Sequence, residues 1–343
     1  MMNTNATTGQ PSTMDDHQEH SEHRLITIFL STKILPAIYC LGAIGNFLII
    51  IYFVKINRKK LSKMSAYHFL IINLAIADFL TCFGLIFVSY FLGVPEWKLG
   101  KFGCSLMIGF FSSACPYVSC WILVLLSYTR YRSIVQPFKP RMTKAKCSII
   151  CLIIWILCII GSLDNFLKRN IIMKNGHRQC ITEVSLAHRI IFSSVRLTLD
   201  SGAPISILSY FYIRIKRTLA REDTSKNLAA NDSSRQRNQN ALKTIFTLVV
   251  IYVICVCPGR ALHLMKHILL ATLDEKSNAY SELKNAYGWI NVIKLTLIYL
   301  NNVVNIFVYM KLIIGFRNFL LVIVTFGRWR NSEATLEETT SRT

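Results

Sequence analysis

Ionisable side chains stand inside otherwise apolar runs of this chain, where charge is costly and usually functional. Asp78 is one. Arg196 and Asp200 recur with Pro204 at every fourth position, which puts them on one face of a helix. Arg260, His263 and His267 share a face in a later run, and Lys294 stands in the last one. Buried charges need partners, so Asp200 is expected to pair with Arg196 or Arg260. The surplus positive charge then suits a ligand bearing a carboxylate or another acidic group. The alternative is that these cations snorkel to the outer interface and bind nothing. Enzyme chemistry finds no support: there is no Gly-x-Ser-x-Gly, no His-Glu-x-x-His and no pair of membrane aspartates. His17, His20 and His23 alternate with Asp16, Glu19 and Glu22, but a solvated tail explains them better than a metal site.

The elements that must position these residues follow from composition. Of 343 residues 52% are hydrophobic and 17% charged, with a formal net charge of +21 and a mean hydropathy of +0.40. A soluble domain carries about 25% charged residues. The apolar residues gather into stretches near Leu25–Val54, Met64–Leu92, Cys104–Tyr131, Cys147–Leu163, Ile190–Ile213, Leu242–Leu264 and Tyr287–Met310. Each has the length that crosses a bilayer, and a backbone in lipid must close its own hydrogen bonds, so they are read as helices. The expected fold is an all-α membrane protein, a seven-helix bundle over residues 25–311. An amphipathic juxtamembrane helix is expected over 312–326, between a tail at 1–24 and another at 327–343.

Placing the N-terminus outside gives the inner segments about twice the lysine and arginine of the outer ones, the arrangement membranes favour. The first span then acts as its own insertion signal, since residues 1–24 are polar. Asn5-Ala6-Thr7 becomes an outside glycosylation sequon. The basic excess flanks spans on one side, so anionic lipid and acidic cytoplasmic partners account for it and nucleic acid does not. Of 11 cysteines only Cys104 and Cys180 fall outside, which suggests one disulfide. Asn175-Gly176 between two extended stretches is a hairpin signal. Residues 218–240 read as a polar cytoplasmic loop.

Several fragments recur in a telling order: Gly45-Asn46, Asn73-Leu74-Ala75-Ile76-Ala77-Asp78, Trp97-x-x-Gly100 before Cys104, then Thr129-Arg130-Tyr131. Trp155, Pro204 with Tyr212, Cys255-x-x-Pro258, and Asn305-Ile306-Phe307-Val308-Tyr309 before Phe316-Arg317 follow. Together they resemble the rhodopsin-like (class A) G-protein-coupled receptors from about residue 30 to 326, in the style of peptide or orphan receptors. The chain departs from that pattern at Thr129 (usually an acid), Val256 (usually tryptophan) and Ile306 (usually proline). One residue more than usual separates Cys104 from Arg130, and a bulge or kink at Pro116 is expected to absorb it.

The resemblance implies a multi-pass plasma-membrane protein that passes an extracellular signal to heterotrimeric G proteins, with arrestin at a phosphorylated tail as a further partner. It implies no cofactor beyond an allosteric sodium ion held by Asp78, Ser119, Asn301 and Asn305, with Asn46 and Asn302 nearby. It gives Arg130, Tyr212 and Tyr309 the G-protein coupling, although a cation at a helix C-terminus also has a structural use. Thr129 cannot form the ion pair that restrains the arginine, so raised basal signalling is expected. A hairpin pinned by Cys104–Cys180 favours a peptide ligand; a small acidic or lipid ligand, and a seven-helix protein that has lost signalling, stay open. An opsin does not fit, because Tyr299 stands where the retinal lysine belongs.

Overall fold

The computed structural model describes residues 25–58, 64–92, 96–174, 176–224, 232–274 and 277–325. Asn5, the histidine-rich segment, Asn175, Phe326 and the tail from 327 lie outside the described residues.

Helices α1 (Leu25–Ile56), α2 (Ala66–Leu92), α3 (Gly100–Val135) and α4 (Lys144–Leu167) come first. A two-stranded antiparallel hairpin, β1 (Arg169–Lys174) and β2 (His177–Thr182), follows. α5, residues 186–224, runs through three helical pieces, Leu186–Leu197, Thr198–Gly202 and Ala203–Thr224. α6 (Asp232–Thr272), α7 (Asn278–Leu312) and the short α8 (Ile314–Val324) complete the chain. Among the described helices, α1, α2, α3, α4, α6 and α7 are long and apolar enough to cross a membrane. α5 is the seventh member of the bundle, packed on α3 and α6 and carrying Arg196 and Asp200 in the half toward the hairpin, the end named outer for every helix.

The helices close a ring. α1 packs on α2 and α7, α7 on α6, α6 on α5, and α5 and α2 both on α3, which runs through the middle. α4 leans on the outer part of α3 and turns Ile149, Leu152, Ile153, Ile156, Leu157 and Ile160 outward, where only lipid can meet them. One apolar cluster joins α1, α2, α3 and α8 around Phe53, Ile71, Ile122 and Phe316. A second joins α3, α5 and α6 around Leu208, Ile215, Leu248 and Tyr252.

Local chemistry explains the helix starts. Thr143, Ser185 and Ser277 each accept a bond from the backbone N–H three residues on, the usual N-cap arrangement. The interval before Pro116 is π-helical from Ser105 to Ala114, and the Ser112 hydroxyl donates to the Met107 carbonyl at 2.9 Å, five residues back. A five-residue repeat takes up an additional residue without breaking the helix. That is how the longer spacing between Cys104 and Arg130 is accommodated.

Several boundaries differ from the hydropathy reading, α5 ending at Thr224 and α6 at Thr272, each about two turns or more beyond its apolar stretch. α6 and α7 begin about two turns or more before their apolar stretches, because polar residues with fair helix propensity extend a helix beyond the lipid. For the same reason much of the expected loop at 218–240 is helical, α5 continuing to Thr224 and α6 starting at Asp232. α8 spans Ile314–Val324, within the expected 312–326.

The α3–α4 contact makes a direct test. A Cβ on Gly109 would lie 2.7 Å from the Phe166 Cα, whereas one on Gly161 meets nothing within 4 Å. Gly109→Val should therefore destabilise the purified protein by ~1–3 kcal/mol. Gly161→Val should shift thermal unfolding little, and equal shifts would count against this packing.

Candidate functional site

The polar residues of the spans lie in three layers along the bundle. The outermost is built on Tyr117 of α3. Arg196 of α5 stacks over its ring with the guanidinium carbon 4.8 Å from the centroid, and Arg260 of α6 stands 5.8 Å from it. Arg260 pairs with Asp200 of α5 at 3.0 Å, both side chains nearly excluded from solvent. Arg196 donates to the Ser113 hydroxyl and also lies over Phe192, 4.5 Å from the ring centroid. Tyr252 of α6 donates to the Asp200 main-chain carbonyl, and the Cys120 thiol donates to the Tyr252 hydroxyl at 3.0 Å. One carboxylate thus sits amid two guanidiniums and an aromatic face, the mutual compensation that buried charges require.

Sequence spacing had placed Arg196 and Asp200 on one face and left Arg196 or Arg260 as the partner of Asp200; the structure pairs it with Arg260. It also shows what charge alone did not reveal. Tyr117 and Ser113 are the α3 half of this layer, four residues apart and neither ionised at neutral pH. The usable signal was that spacing beside two opposing arginines, since arginine stacks readily on aromatic rings.

His263 does not join the Arg260–Asp200 pair. It packs edge-on against His267, with ring centroids 4.8 Å apart. Lys294 and Lys266 both bear on His263 electrostatically, so this side of the layer is strongly cationic. A small cavity of about 10 Å³, room for about one water, remains between Tyr117, Asp200, Arg260, Asn301 and Asn302.

The hairpin is tied to the same end of α3. Cys180 of β2 is bonded to Cys104 at the outer end of α3, with Cα atoms 5.9 Å apart. Ile171 pairs with Cys180 across the strands, and Gly176 takes a φ of +77° at the turn, a value glycine adopts without strain. The Trp97 N–H donates to the Arg178 carbonyl at 2.8 Å, joining the α2–α3 loop to the hairpin. Arg169 of β1 is largely buried beside Arg196. Burial and that neighbouring charge draw its guanidinium down to about 10, a measure of how crowded the positive charge is.

The middle layer centres on Asp78 of α2, which is fully buried. Asn305 of α7 donates to one carboxylate oxygen. The other, Oδ1, has no hydrogen-bond partner among the described residues, and neither has the buried Oδ1 of Asn46. Ser119 of α3 is buried within range of the carboxylate. Asn46 donates to the carbonyls of Gly42 and Asn302 at 2.9 and 2.8 Å, tying α1 to α7. Asn301 faces the small outer cavity. The oxygen-rich set, with buried oxygen atoms left unbonded, fits a hard cation.

The inner layer holds Arg130, whose guanidinium lies 3.8 Å above the Tyr67 ring of α2. The Thr129 hydroxyl donates instead to its own helix, to the Leu126 carbonyl at 2.7 Å. Tyr67, another residue without a charge signal, is the ring on which the arginine rests. Tyr309 is buried with its hydroxyl unpartnered among the described residues, and Tyr212 stacks on Phe246 of α6 at 4.8 Å.

Removing one member of a buried ion pair strands the other. Asp200→Ala should therefore destabilise the folded protein by ~3–5 kcal/mol. Adding Arg260→Leu should recover much of that loss. Additive losses in thermal unfolding would show that the two side chains are not partners.

The pattern described as the 7 transmembrane receptor (rhodopsin family) matches residues 45–309. The chain is 25% identical to proteinase-activated receptor 2 of Mus musculus, over 83% of this chain and 69% of that one. It is 26% identical to C5a anaphylatoxin chemotactic receptor 1 of Danio rerio, over 83% and 77% respectively. With the type-1 angiotensin II receptor of Ovis aries it shares 32% identity over 50% of this chain and 47% of that one. Helix order, the Cys104–Cys180 bond, the Asp78–Asn305 contact and this match agree: the chain belongs to the rhodopsin family of seven-transmembrane receptors, membrane proteins that couple to G proteins and are not enzymes.

Proposed function

We propose that this receptor takes an extracellular peptide with an acidic group and relays its binding to heterotrimeric G proteins at the plasma membrane. The N-terminus and the Cys104–Cys180 hairpin face outside, and arrestin engages the tail. The observation that carries the ligand reading is the outer layer, in which Asp200 is the one carboxylate acting on Arg260 among the described residues. A ligand carboxylate entering between Arg196 and Arg260 competes with Asp200 for them, forming charge-assisted bonds of its own. Lys294 adds to the attraction, and His263 offers a hydrogen bond through its buried Nδ1. Relatives named for C5a anaphylatoxin, angiotensin II and C-C chemokines support a peptide.

Loosening the Asp200–Arg260 pair would disturb the Tyr252 bond to the Asp200 backbone, and with it the α5–α6 contact that runs inward to Tyr212 and Phe246. A ligand acts by binding one arrangement of these contacts better than the other. Asp78, Ser119 and Asn305, with Asn301 one turn outward on α7, would hold a sodium ion. Its charge would offset the carboxylate and favour the arrangement in which α2 and α7 stay joined. Arg130, Tyr212 and Tyr309 form the inner face offered to the G protein.

Two measurements test this reading. In cells, Arg130→Ala should abolish G-protein activation, while Thr129→Asp should lower ligand-free signalling by giving the arginine an adjacent acid. Unchanged output from both variants would contradict it. Against an active peptide with a free carboxylate, Arg260→Gln should weaken potency by roughly 10- to 100-fold, the range for one charge-assisted bond. Equal loss for the amidated peptide would show that the arginine does not read the acid.

A further inference from the structure

At the inner end of the bundle, adjoining the inner layer, a cavity of about 400 Å³ opens between α6 and α7. Its walls are two stripes. Lys243, Thr247 and Ile251 follow one another at four-residue intervals on α6, and Val304, Phe307, Val308 and Lys311 occupy one face of α7. The helices run in opposite directions, yet each stripe is mostly apolar and ends in a lysine that lines the same cavity. Phe246 and Phe307 are each 45% exposed, so the groove is open to its surroundings.

We propose that this groove binds an anionic phospholipid of the inner leaflet. The headgroup phosphate sits between Lys243 and Lys311, and an acyl chain lies along Ile251, Val304 and Val308. This rests on the orientation proposed above, which puts that end in the cytoplasm. Charge complementarity identifies the occupant: two lysines at one mouth of a membrane-depth apolar slot match a charged head joined to a hydrocarbon tail. The site also bears on signalling. Phe246 both lines the groove and stacks on Tyr212, and Val308 precedes Tyr309. An occupied groove props α6 and α7 at a fixed spacing beside both tyrosines.

The experiment is native mass spectrometry of the full-length receptor from nanodiscs of phosphatidylcholine and phosphatidylserine, with no G protein present. Its outcome is therefore independent of the coupling proposal. Each lysine near an anionic surface contributes about fivefold in affinity, so Lys243→Gln with Lys311→Gln should cut retained phosphatidylserine by about twentyfold. Val304→Trp, which fills the tail slot and keeps both charges, should also lose the lipid. Lys216→Gln, removing an exposed cation on α5, should not. Soluble glycerophosphoserine should fail to displace the lipid, because it lacks the tail. Equal retention by wild type and the double variant overturns the proposal. So does an equal loss in Lys216→Gln, or displacement by the soluble headgroup, since either reduces the effect to surface charge.

Discussion

A polar side chain at membrane depth has no water to turn to, so its partner must come from another helix. The contact between Asp78 of α2 and Asn305 of α7 is where this constraint is tightest. It joins helices more than 200 residues apart in sequence, and next to it Asn46 ties α1 to the α7 backbone. Apolar packing alone cannot specify such a register, because lipid chains are as apolar as leucine and exert no preference for one helix face. The polar contacts decide which faces turn inward, and the clusters around Ile71, Ile122 and Leu208 fill the space that this choice leaves.

The same constraint shapes the outer layer. Two arginines and an aspartate buried together would be ruinous singly, and they are tolerable because each faces the others and Tyr117. The arrangement is balanced without being generous, since cations crowd it from Arg169, Lys266 and Lys294. The acidic ligand proposed above would meet a site already short of negative charge. The inner layer lacks such compensation: Arg130 rests on a ring, and Thr129 turns its hydroxyl back on its own helix. Cation–π contact holds an arginine less firmly than a carboxylate does, which is the physical basis for the coupling role proposed for Arg130.

Much of this was legible in the residues. Hydropathy marked every helix of the bundle, Asn175-Gly176 marked the hairpin, and the odd spacing before Pro116 marked the place where α3 becomes π-helical. Asp78 and Asp200 announced themselves as charges in lipid-length runs. Their aromatic neighbours did not, because Tyr67 and Tyr117 look like ordinary core residues until the helix on which they sit is rotated against an arginine. The long polar ends of α6 and α7 were equally hidden: a hydropathy profile reports where lipid stops, and a helix need not stop there. The groove between α6 and α7 depends on how two stripes face each other, which no single stretch of sequence records.

The claim that everything else hangs on is that Asp78 faces Asn305 across the interior. Exchanging the two, with Asp78→Asn and Asn305→Asp in one chain, tests it through thermal unfolding and ligand-free G-protein activation. If the side chains are in contact, each single substitution lowers stability and the exchange restores most of it, because one acid and one amide still meet. An exchanged protein no more stable than the worse of the two singles would mean that the residues are not neighbours, and the layered bundle described above would be wrong.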